Sequence, residues 1–255
     1  MTTDTAPSSP LVSRGFAAGR SGVTSRWRPG LANASRHGDI FAAANEASGA
    51  GLALALALDS TRAAASDPAT QTVRDWPDER PWLWVQDKAA RRLGGRPFRP
   101  GLPATLRHRL IHVAADKPED ALFALEEGLR CRDLAFVIGE IAGNPRALGL
   151  TASRRLSLAA QKHGTPLWLI RLDARRDLGS ARMRWDVRAA PSQRPRWNPA
   201  APGAPSWSAE LFRAHTHQPG HWILRDDARL AAEPATPPNS SDLAGAARDR
   251  SLAAG

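Results

Sequence analysis

The strongest hydrophobic pattern in the chain is a nearly continuous apolar run at residues 134–141, with the sequence LAFVIGEI. Charged residues precede this run, and the turn formers Gly143, Asn144 and Pro145 follow it. A short run of this kind is typical of a strand buried on both faces, as in the middle of a parallel sheet. Helical patterns flank it, and a second apolar run at residues 166–172 completes a β-α-β unit. The pattern predicts an α/β fold.

The two flanking helices have recognisable ends. The first is expected to begin at a cap formed by Asp116 or Lys117, and its apolar stripe is Leu122, Leu125 and Leu129. The second is expected to begin at a cap formed by Thr151 or Ser153 and to run to residue 163, where Gly164 ends it. Both helices are predicted to pack on the sheet.

The pattern predicts further elements on the N-terminal side. Residues 82–86 and 110–114 have the composition of strands, and residues 106–110 suit a short helix. The second half of the Ala- and Leu-rich stretch 39–58 predicts a buried helix, whereas residues 59–80 have turn chemistry. His112 lies within a strand, and a lone histidine of this kind is expected to be packed and not metal-bound.

The pattern changes to alternation beyond residue 172. Residues 181–189 place Met183, Trp185 and Val187 on one side and basic residues on the other, which predicts a half-exposed antiparallel strand. Residues 206–214 and 221–225 predict a hairpin. The expected architecture is therefore a mostly parallel sheet flanked by helices, with a C-terminal antiparallel extension.

The ends of the chain lack periodicity. Residues 1–30 mix Ser, Thr, Pro, Gly and Arg, and we expect a flexible arm whose one bulky apolar residue, Trp27, docks on the body. Residues 231–255 are rich in Ala, Pro, Ser and Asp and are expected to be disordered. Residues 31–230 are predicted to form the folded domain.

Composition narrows the class of protein. The chain has 255 residues and one cysteine, Cys131, which excludes an internal disulfide framework. No stretch approaches the ~18 apolar residues that span a bilayer, and no signal segment is seen, so a cytoplasmic protein is expected. No metal or cofactor is expected, because the loop histidines His215, His217 and His221 lack carboxylate support.

The charge is concentrated in one third of the chain. The formal net charge is +10, and residues 142–230 contain 15 Lys and Arg against 6 Asp and Glu, so 15 − 6 = +9 lies there. Such an excess favours a polyanion or an acidic protein, although a solvated arginine-rich surface explains it equally well. The candidate partner or DNA contacts are Arg154, Arg155, Arg175, Arg176, Arg182, Arg184 and Arg188.

The nearest approach to a phosphate-binding loop is residues 46–52, EASGAGL. A P-loop needs glycines for close backbone approach, and a Lys and a Ser or Thr for phosphate and Mg²⁺. This segment has Gly49 and Gly51 but neither a Lys nor a hydroxyl after them. Ordinary ATP hydrolysis is not expected here, and no catalytic residue is predicted.

Several motifs in order resemble one family. They are residues 82–85 (WLWV), 120–140 (DALFALEEGLRCRDLAFVIGE), 150–160 (LTASRRLSLAA), 182–187 (RMRWDV), 190–192 (APS) and 207–226. Together they are similar to ImuA, the RecA-like and SulA-like accessory protein of bacterial damage-induced mutagenesis. The resemblance covers about residues 82–227, with 38–58 a weaker match.

The resemblance implies a RecA-like core. It places Glu140 at or near the magnesium-binding acid of the related ATPases, and it places residues 169–171 where RecA carries a phosphate-sensing polar residue. The missing P-loop lysine departs from the ATPase pattern.

The function expected from this resemblance is that of a noncatalytic adaptor in an SOS translesion-synthesis complex. The implied partners are ImuB, which is an inactive relative of lesion-bypass polymerases, an error-prone DnaE-type polymerase, and RecA. Two alternatives stay open: a RecA-superfamily ATPase with an unorthodox phosphate loop, and a SulA-like inhibitor of cell division.

Overall fold

A computed structural model describes residues 25–30, 36–65, 78–227 and 229–235 of the chain. These residues form an α/β fold in which a nine-stranded, mostly parallel sheet carries helices on both faces. The predicted fold class is confirmed, including the antiparallel strands at the C-terminal end.

Some of the predicted segments lie outside the described residues. They are residues 1–24 of the predicted arm, residues 66–77 of the predicted turn segment and residues 236–255 of the predicted tail.

The strands and helices follow one another in an α/β order. The strands are β1 (Ser25–Arg26), β2 (His37–Ala42), β3 (Trp82–Gln86), β4 (Leu110–Ala114), β5 (Val137–Ala142), β6 (Leu167–Leu172), β7 (Met183–Ala189), β8 (Ser206–Ala214), β9 (His217–Gln218), β10 (Gly220–Asp227) and β11 (Arg229–Pro234). The helices are α1 (Ser48–Ala65), α2 (Lys88–Gly94), α3 (Ala104–Arg107), α4 (Pro118–Arg130) and α5 (Leu150–His163), with 3₁₀ turns at Arg99–Gly101 and Arg146–Leu148.

The sheet has the strand order β11-β10-β8-β7-β2-β6-β5-β3-β4. The strands from β7 to β4 are parallel to one another, and β8, β10 and β11 continue the sheet antiparallel beyond β7. The first long strand, β2, therefore lies inside the sheet between β6 and β7. This order is consistent with a RecA-like fold.

The core has two layers because the sheet is covered on both faces. One layer contains α1, with Leu52 and Leu56 fully buried among the tryptophans of the sheet. The other contains α4 and α5, with Leu125, Leu129 and Leu156 against the opposite face. The predicted stripe of α4 is thus correct for Leu125 and Leu129. Leu122 is only partly buried beside them.

Strand β2 was not predicted. Residues 39–58 suggested only a helix, because His37, Gly38 and Asp39 interrupt the apolar pattern. All six residues of β2 are nevertheless buried, and the side chains of His37 and Asp39 have the polar partners described below. The predicted helix is correct but extends as α1 to Ala65, so the turn prediction is wrong for residues 59–65.

Other boundaries differ for local reasons. The central strand begins at Val137, not at 134, although the three preceding residues are buried. Residues 88–94 form α2, which the sequence pattern did not predict and which is capped by the Asp87 side chain on the amide of Ala90. The predicted short helix is α3, which ends at Arg107.

The N-terminal end of α5 is also different. Its cap residue is Gly149, which precedes both predicted capping residues. Ser153 does not cap the helix, because its hydroxyl lies near Ser180 Oγ at 3.1 Å. Gly164, with φ 74°, ends the helix in the left-handed conformation as predicted.

The described start of the chain is attached to the sheet's antiparallel side. β1 pairs in parallel with β9, and Trp27 is 5% exposed. Its ring meets Trp185 and Trp222 edge-on, with centroids 4.8 and 5.7 Å away. The expected docking of Trp27 on the body is correct, and residues 25–27 are therefore part of the packed domain.

The far end of the sheet contradicts one expectation. Residues 231–234 belong to β11, which pairs with β10 over six residue pairs, whereas they were expected to be disordered.

Strand β7 was predicted to be antiparallel. The prediction is correct for its pairing with β8 but wrong for its pairing with β2, which is parallel.

Replacing Trp27 tests the importance of this attachment. Trp27→Ala removes a buried ring from the three-tryptophan cluster, and we expect the free energy of unfolding to fall by about 3 kcal/mol in urea denaturation. Trp197→Ala is the matched control, because Trp197 is 82% exposed; its change should stay within about 0.5 kcal/mol. Equal effects of the two substitutions would contradict the docking.

Candidate functional site

The carboxyl ends of β2, β6 and β7 enclose a cleft of about 580 Å³. Open α/β sheets bind ligands at such a position, where connections from neighbouring strands leave toward opposite faces. After β2 the chain enters α1 on one face, whereas the connection at residues 173–182 lies over the other. The cleft is therefore the place at which nucleotide chemistry would be expected in this fold.

The loop between β2 and α1 is held by carboxylates of the chain itself. The amide of Ala44 donates to Asp173 Oδ1 at 2.9 Å. Glu46 accepts from the Ser48 hydroxyl at 2.8 Å and from the amide of Ala189 at 3.0 Å. The Glu46 carboxylate thus lies at the start of α1, where anions bind favourably because helix amides point toward them.

The charge of the cleft is unfavourable for phosphate. Three carboxylates line it, from Glu46, Asp173 and Asp186, and Arg188 is the cation among the residues that line it. Asp186 is already paired with Arg176 at 2.9 Å. A polyphosphate entering this cleft would meet like charges at close range, which is costly at low dielectric.

The two glycines of the predicted phosphate segment have a packing role. Both lie inside α1. A Cβ at Gly49 would come within 2.8 Å of Ala42 Cβ, and one at Gly51 within 2.8 Å of the Trp207 ring. Their small size lets α1 approach the sheet closely.

Glu140 lies on β5 and does not line the cleft. Its carboxylate is directed toward β3, the neighbour of β5 on the side away from β6. It accepts hydrogen bonds from Trp84 Nε1 at 3.1 Å and Gln86 Nε2 at 2.9 Å, both on β3. Burial raises the pKa of Glu140 to about 7 in spite of these two donors, and the charge of Asp87 acts in the same direction. Gln86 Oε1 in turn lies 2.9 Å from His112 Nε2. This histidine, which was expected to be packed, is partly buried and has a polar partner that was not predicted.

A buried ion-pair network lies beneath the cleft. Arg184 Nε donates to Asp39 Oδ2 at 3.0 Å, and Arg184 Nη1 donates to the carbonyl of Asp177 at 2.6 Å. Arg171 pairs with the Asp177 carboxylate at 3.0 Å. Both arginine side chains are 3% exposed. Burial alone would raise the pKa of Asp177, but hydrogen bonds from Arg171 and Asn144 and the charge of both arginines hold it below its ordinary value.

The network continues to a Ser-His-Asp arrangement that is structural. His37 Nδ1 lies 2.7 Å from Ser157 Oγ, and His37 Nε2 lies 3.3 Å from Asp39 Oδ1. Asp39 is neutralised by Arg184, and the Ser157 hydroxyl also contacts Ser180 Oγ at 2.8 Å. A nucleophile must reach its substrate. With Ser157 9% exposed, this hydroxyl joins α5 to the sheet instead.

The predicted basic contacts fall into three groups. Four of them, Arg154, Arg175, Arg182 and Arg188, are exposed. Two are ion-paired at the surface: Arg155 contacts Glu126, and Arg176 pairs with Asp186 and Glu210. The seventh, Arg184, was expected on an exposed basic face. That expectation is wrong, because Arg184 faces the interior and satisfies Asp39.

The structure brings two of these arginines together. Arg176 lies over the Phe212 ring at 4.3 Å, and Arg184 lies 5.5 Å from the same ring. Of the other five predicted arginines, all of which the structure describes, Arg188 lines the cleft and the remaining four do not. Sequence reasoning missed the cleft carboxylates Asp173 and Asp186, although each lies at or near the carboxyl end of a predicted strand, which is a usable signal.

Within residues 25–30, 36–65, 78–227 and 229–235, no group of three or more His, Cys, Asp or Glu side chains is arranged to hold a metal ion. None of the helices in that part of the chain has both the length and the apolar character needed to cross a membrane.

No protein-family model matches the chain, and no curated protein sequence matches it. The resemblance to ImuA therefore stays a prediction.

The raised pKa of Glu140 has a measurable consequence. The folded state holds this proton up to about pH 7, whereas the unfolded chain releases it near pH 4.5, so the free energy of unfolding should fall as pH rises through that window. Glu140→Gln removes the titration. Its stability relative to wild type should therefore rise from pH 5 to pH 8, by up to about 3 kcal/mol.

Urea denaturation at the two pH values measures this difference. Glu127→Gln, at a surface glutamate of α4, is the matched control and should show no comparable change. A constant offset between Glu140→Gln and wild type would contradict the assignment.

Arg184 and its neighbour Arg182 offer a second matched pair. Arg184→Gln leaves Asp39 buried without its cation, and we expect a loss of about 3–5 kcal/mol in the free energy of unfolding. Arg182→Gln should change it by no more than about 0.5 kcal/mol, because Arg182 is exposed. Similar losses from both would show that Arg184 is not buried as described.

Proposed function

We propose that this chain is a noncatalytic, RecA-like adaptor of a DNA-damage-induced translesion-synthesis complex, similar in role to ImuA. The observation that carries the proposal is the Glu46 carboxylate at the start of α1. A RecA-type sheet is retained, while a negative side chain stands at the position that would hold phosphate.

The arrangement of the loop argues against the ATPase alternative. A phosphate cradle needs free backbone amides and a lysine. Here the Ala44 amide is not free, because it donates to Asp173. Ala50, and not a lysine, follows Gly49 in α1. Glu140 is hydrogen-bonded to two side chains of β3 and does not line the cleft. These features disfavour nucleotide and magnesium at this site.

An apolar groove supports a protein-binding role. It lies between α4 and α5, has a volume of about 260 Å³, and is lined by Leu122, Phe123 and Leu156 among others. Phe123 is 65% exposed at its rim. Exposed apolar surface bordered by charges is typical of sites that bind other proteins.

The partners come from the resemblance alone. They are an ImuB-like protein, an error-prone DnaE-type polymerase and RecA. The exposed arginines Arg154, Arg175, Arg182 and Arg188 remain candidate contacts for these partners or for DNA. The cytoplasm is the compartment in which such a complex would work.

Affinity purification from the native host tests the proposal. Full-length tagged protein should recover the ImuB-like protein and the DnaE-type polymerase after DNA damage, and deletion of its gene should abolish damage-induced mutagenesis. Phe123→Ala should reduce recovery, whereas Trp197→Ala, at another exposed aromatic residue, should not. Normal mutagenesis in the deletion strain would overturn the adaptor role.

Nucleotide turnover separates the alternatives. Purified protein with ATP and Mg²⁺ should show no turnover above background, and Glu140→Gln should complement the deletion fully. Turnover abolished by Glu140→Gln would favour the ATPase. Filamentous cells on overproduction, with unchanged mutagenesis on deletion, would favour a SulA-like inhibitor.

A further inference from the structure

A basic region lies at β4, the strand at one end of the sheet. The strands β5 and β3 separate β4 from the strands that form the cleft. Between residues 88 and 115 the chain has seven Lys and Arg and no Asp or Glu. These residues form α2, the 3₁₀ turn Arg99–Gly101, α3 and β4 itself. We name as the basic edge its exposed side chains Lys88, Arg92, Arg96, Phe98 and Arg99.

The cations of this region are close together around His112. Burial lowers the pKa of His112, and the positive charges of Arg96, Arg91 and Arg99 lower it further. Arg99 also donates to the carbonyl of Leu110 on β4 at 3.1 Å, which fixes the turn against the strand. Three guanidinium groups from α2 and the following turn therefore converge on one strand.

The nearby acids do not neutralise the basic edge. Asp87 is buried as the cap of α2, and Glu140 is buried beneath Gly94. Asp116 pairs with Arg91 at 3.4 Å. Among the described residues, no ion pair or side-chain hydrogen bond involves the charged groups of Lys88, Arg92 or Arg96. Their positive charges face solvent.

Phe98 is displayed among these charges. It is 72% exposed, and its ring rests on Gly101, where a Cβ would lie 3.1 Å from Phe98 Cδ1. Pro97 and Pro100 flank the Phe98–Arg99 pair and restrict the backbone there. One side of the ring is thus supported and the other is open, with an arginine two residues before it and one immediately after it.

We propose that the basic edge binds single-stranded nucleic acid, with its cations on the phosphates and an unpaired base stacked on Phe98. Unpaired bases stack on aromatic rings without regard to sequence, and arginines that follow the backbone supply the electrostatic part. A duplex hides its base faces and cannot use Phe98 in this way. An acidic protein would satisfy the charges but has no need for an open ring. The proposal does not depend on the adaptor role.

Fluorescence anisotropy with the full-length protein tests it, using labelled dT20 and rU20 strands at several salt concentrations. Contacts from four cations should give a slope of log K against log salt of about −3, and Arg92→Gln/Arg96→Gln should make it shallower by about 1.4. Phe98→Ala should weaken binding about fivefold to 100-fold with an unchanged slope. Binding of either strand in this pattern supports the proposal.

The controls are matched in type and exposure. Phe123→Ala, and Arg132→Gln/Arg146→Gln outside the basic edge, should leave binding unchanged, with thermal unfolding confirming that every variant is folded. Several results would overturn the proposal: absence of binding to both strands, equal binding of a 20-base-pair duplex with Phe98→Ala silent, or binding of poly-glutamate but not of oligonucleotide. The exposed Arg194, Arg196 and Trp197 lie between β7 and β8, outside the basic edge. Loss of binding only on changing these three residues would also overturn the proposal.

Discussion

The buried ion pair between Asp39 and Arg184 holds together two strands from segments 145 residues apart in sequence. Each side chain is almost fully enclosed, so neither charge is tolerable without the other. The pair fixes β7 beside β2. It also reaches the connection at residues 173–182, because Arg184 donates to the carbonyl of Asp177. The central sheet and the connection between β6 and β7 are thereby joined at one point.

The cleft is built on this junction. The Phe41 ring lies 4.9 Å from the Arg184 guanidinium and 5.5 Å from that of Arg171, so two cations support the aromatic residue that lines the floor. The carboxylates above it are then held by amides and by surface arginines. The buried layer beneath the cleft is balanced in charge, because Arg171 and Arg184 are paired with Asp177 and Asp39. Of the described residues that line the cleft, Arg188 alone carries a positive charge.

Sequence patterns identified the elements whose burial is purely apolar. β3, β5, β6 and α4 were found because continuous or helical hydrophobic spacing marks them. β2 was missed for the opposite reason: His37 and Asp39 look like surface residues until a partner on a distant strand or helix satisfies them. The prediction for Arg184 was wrong for the same reason. Strict alternation along β7 predicted that its side chain is exposed to solvent. No local pattern encodes a pairing between residues 39 and 184, and the candidate site depends on that pairing.

The strand order also determines where opposite charges lie. The acidic cleft lies at β2, β6 and β7, whereas the basic edge lies beside β4 at the end of the sheet. The strands β5 and β3 separate them in the strand order. Of the seven candidate arginines in residues 142–230, the structure pairs Arg155 and Arg176, buries Arg184 and leaves four exposed. The denser run at residues 88–115 contains no acid of its own, and its residues Lys88, Arg92 and Arg96 face solvent. A polyanion approaching this sheet would be repelled from the cleft and attracted to the β4 edge. The cleft and the basic edge share no residue, so phosphate binding at the edge would not depend on the charge of the cleft.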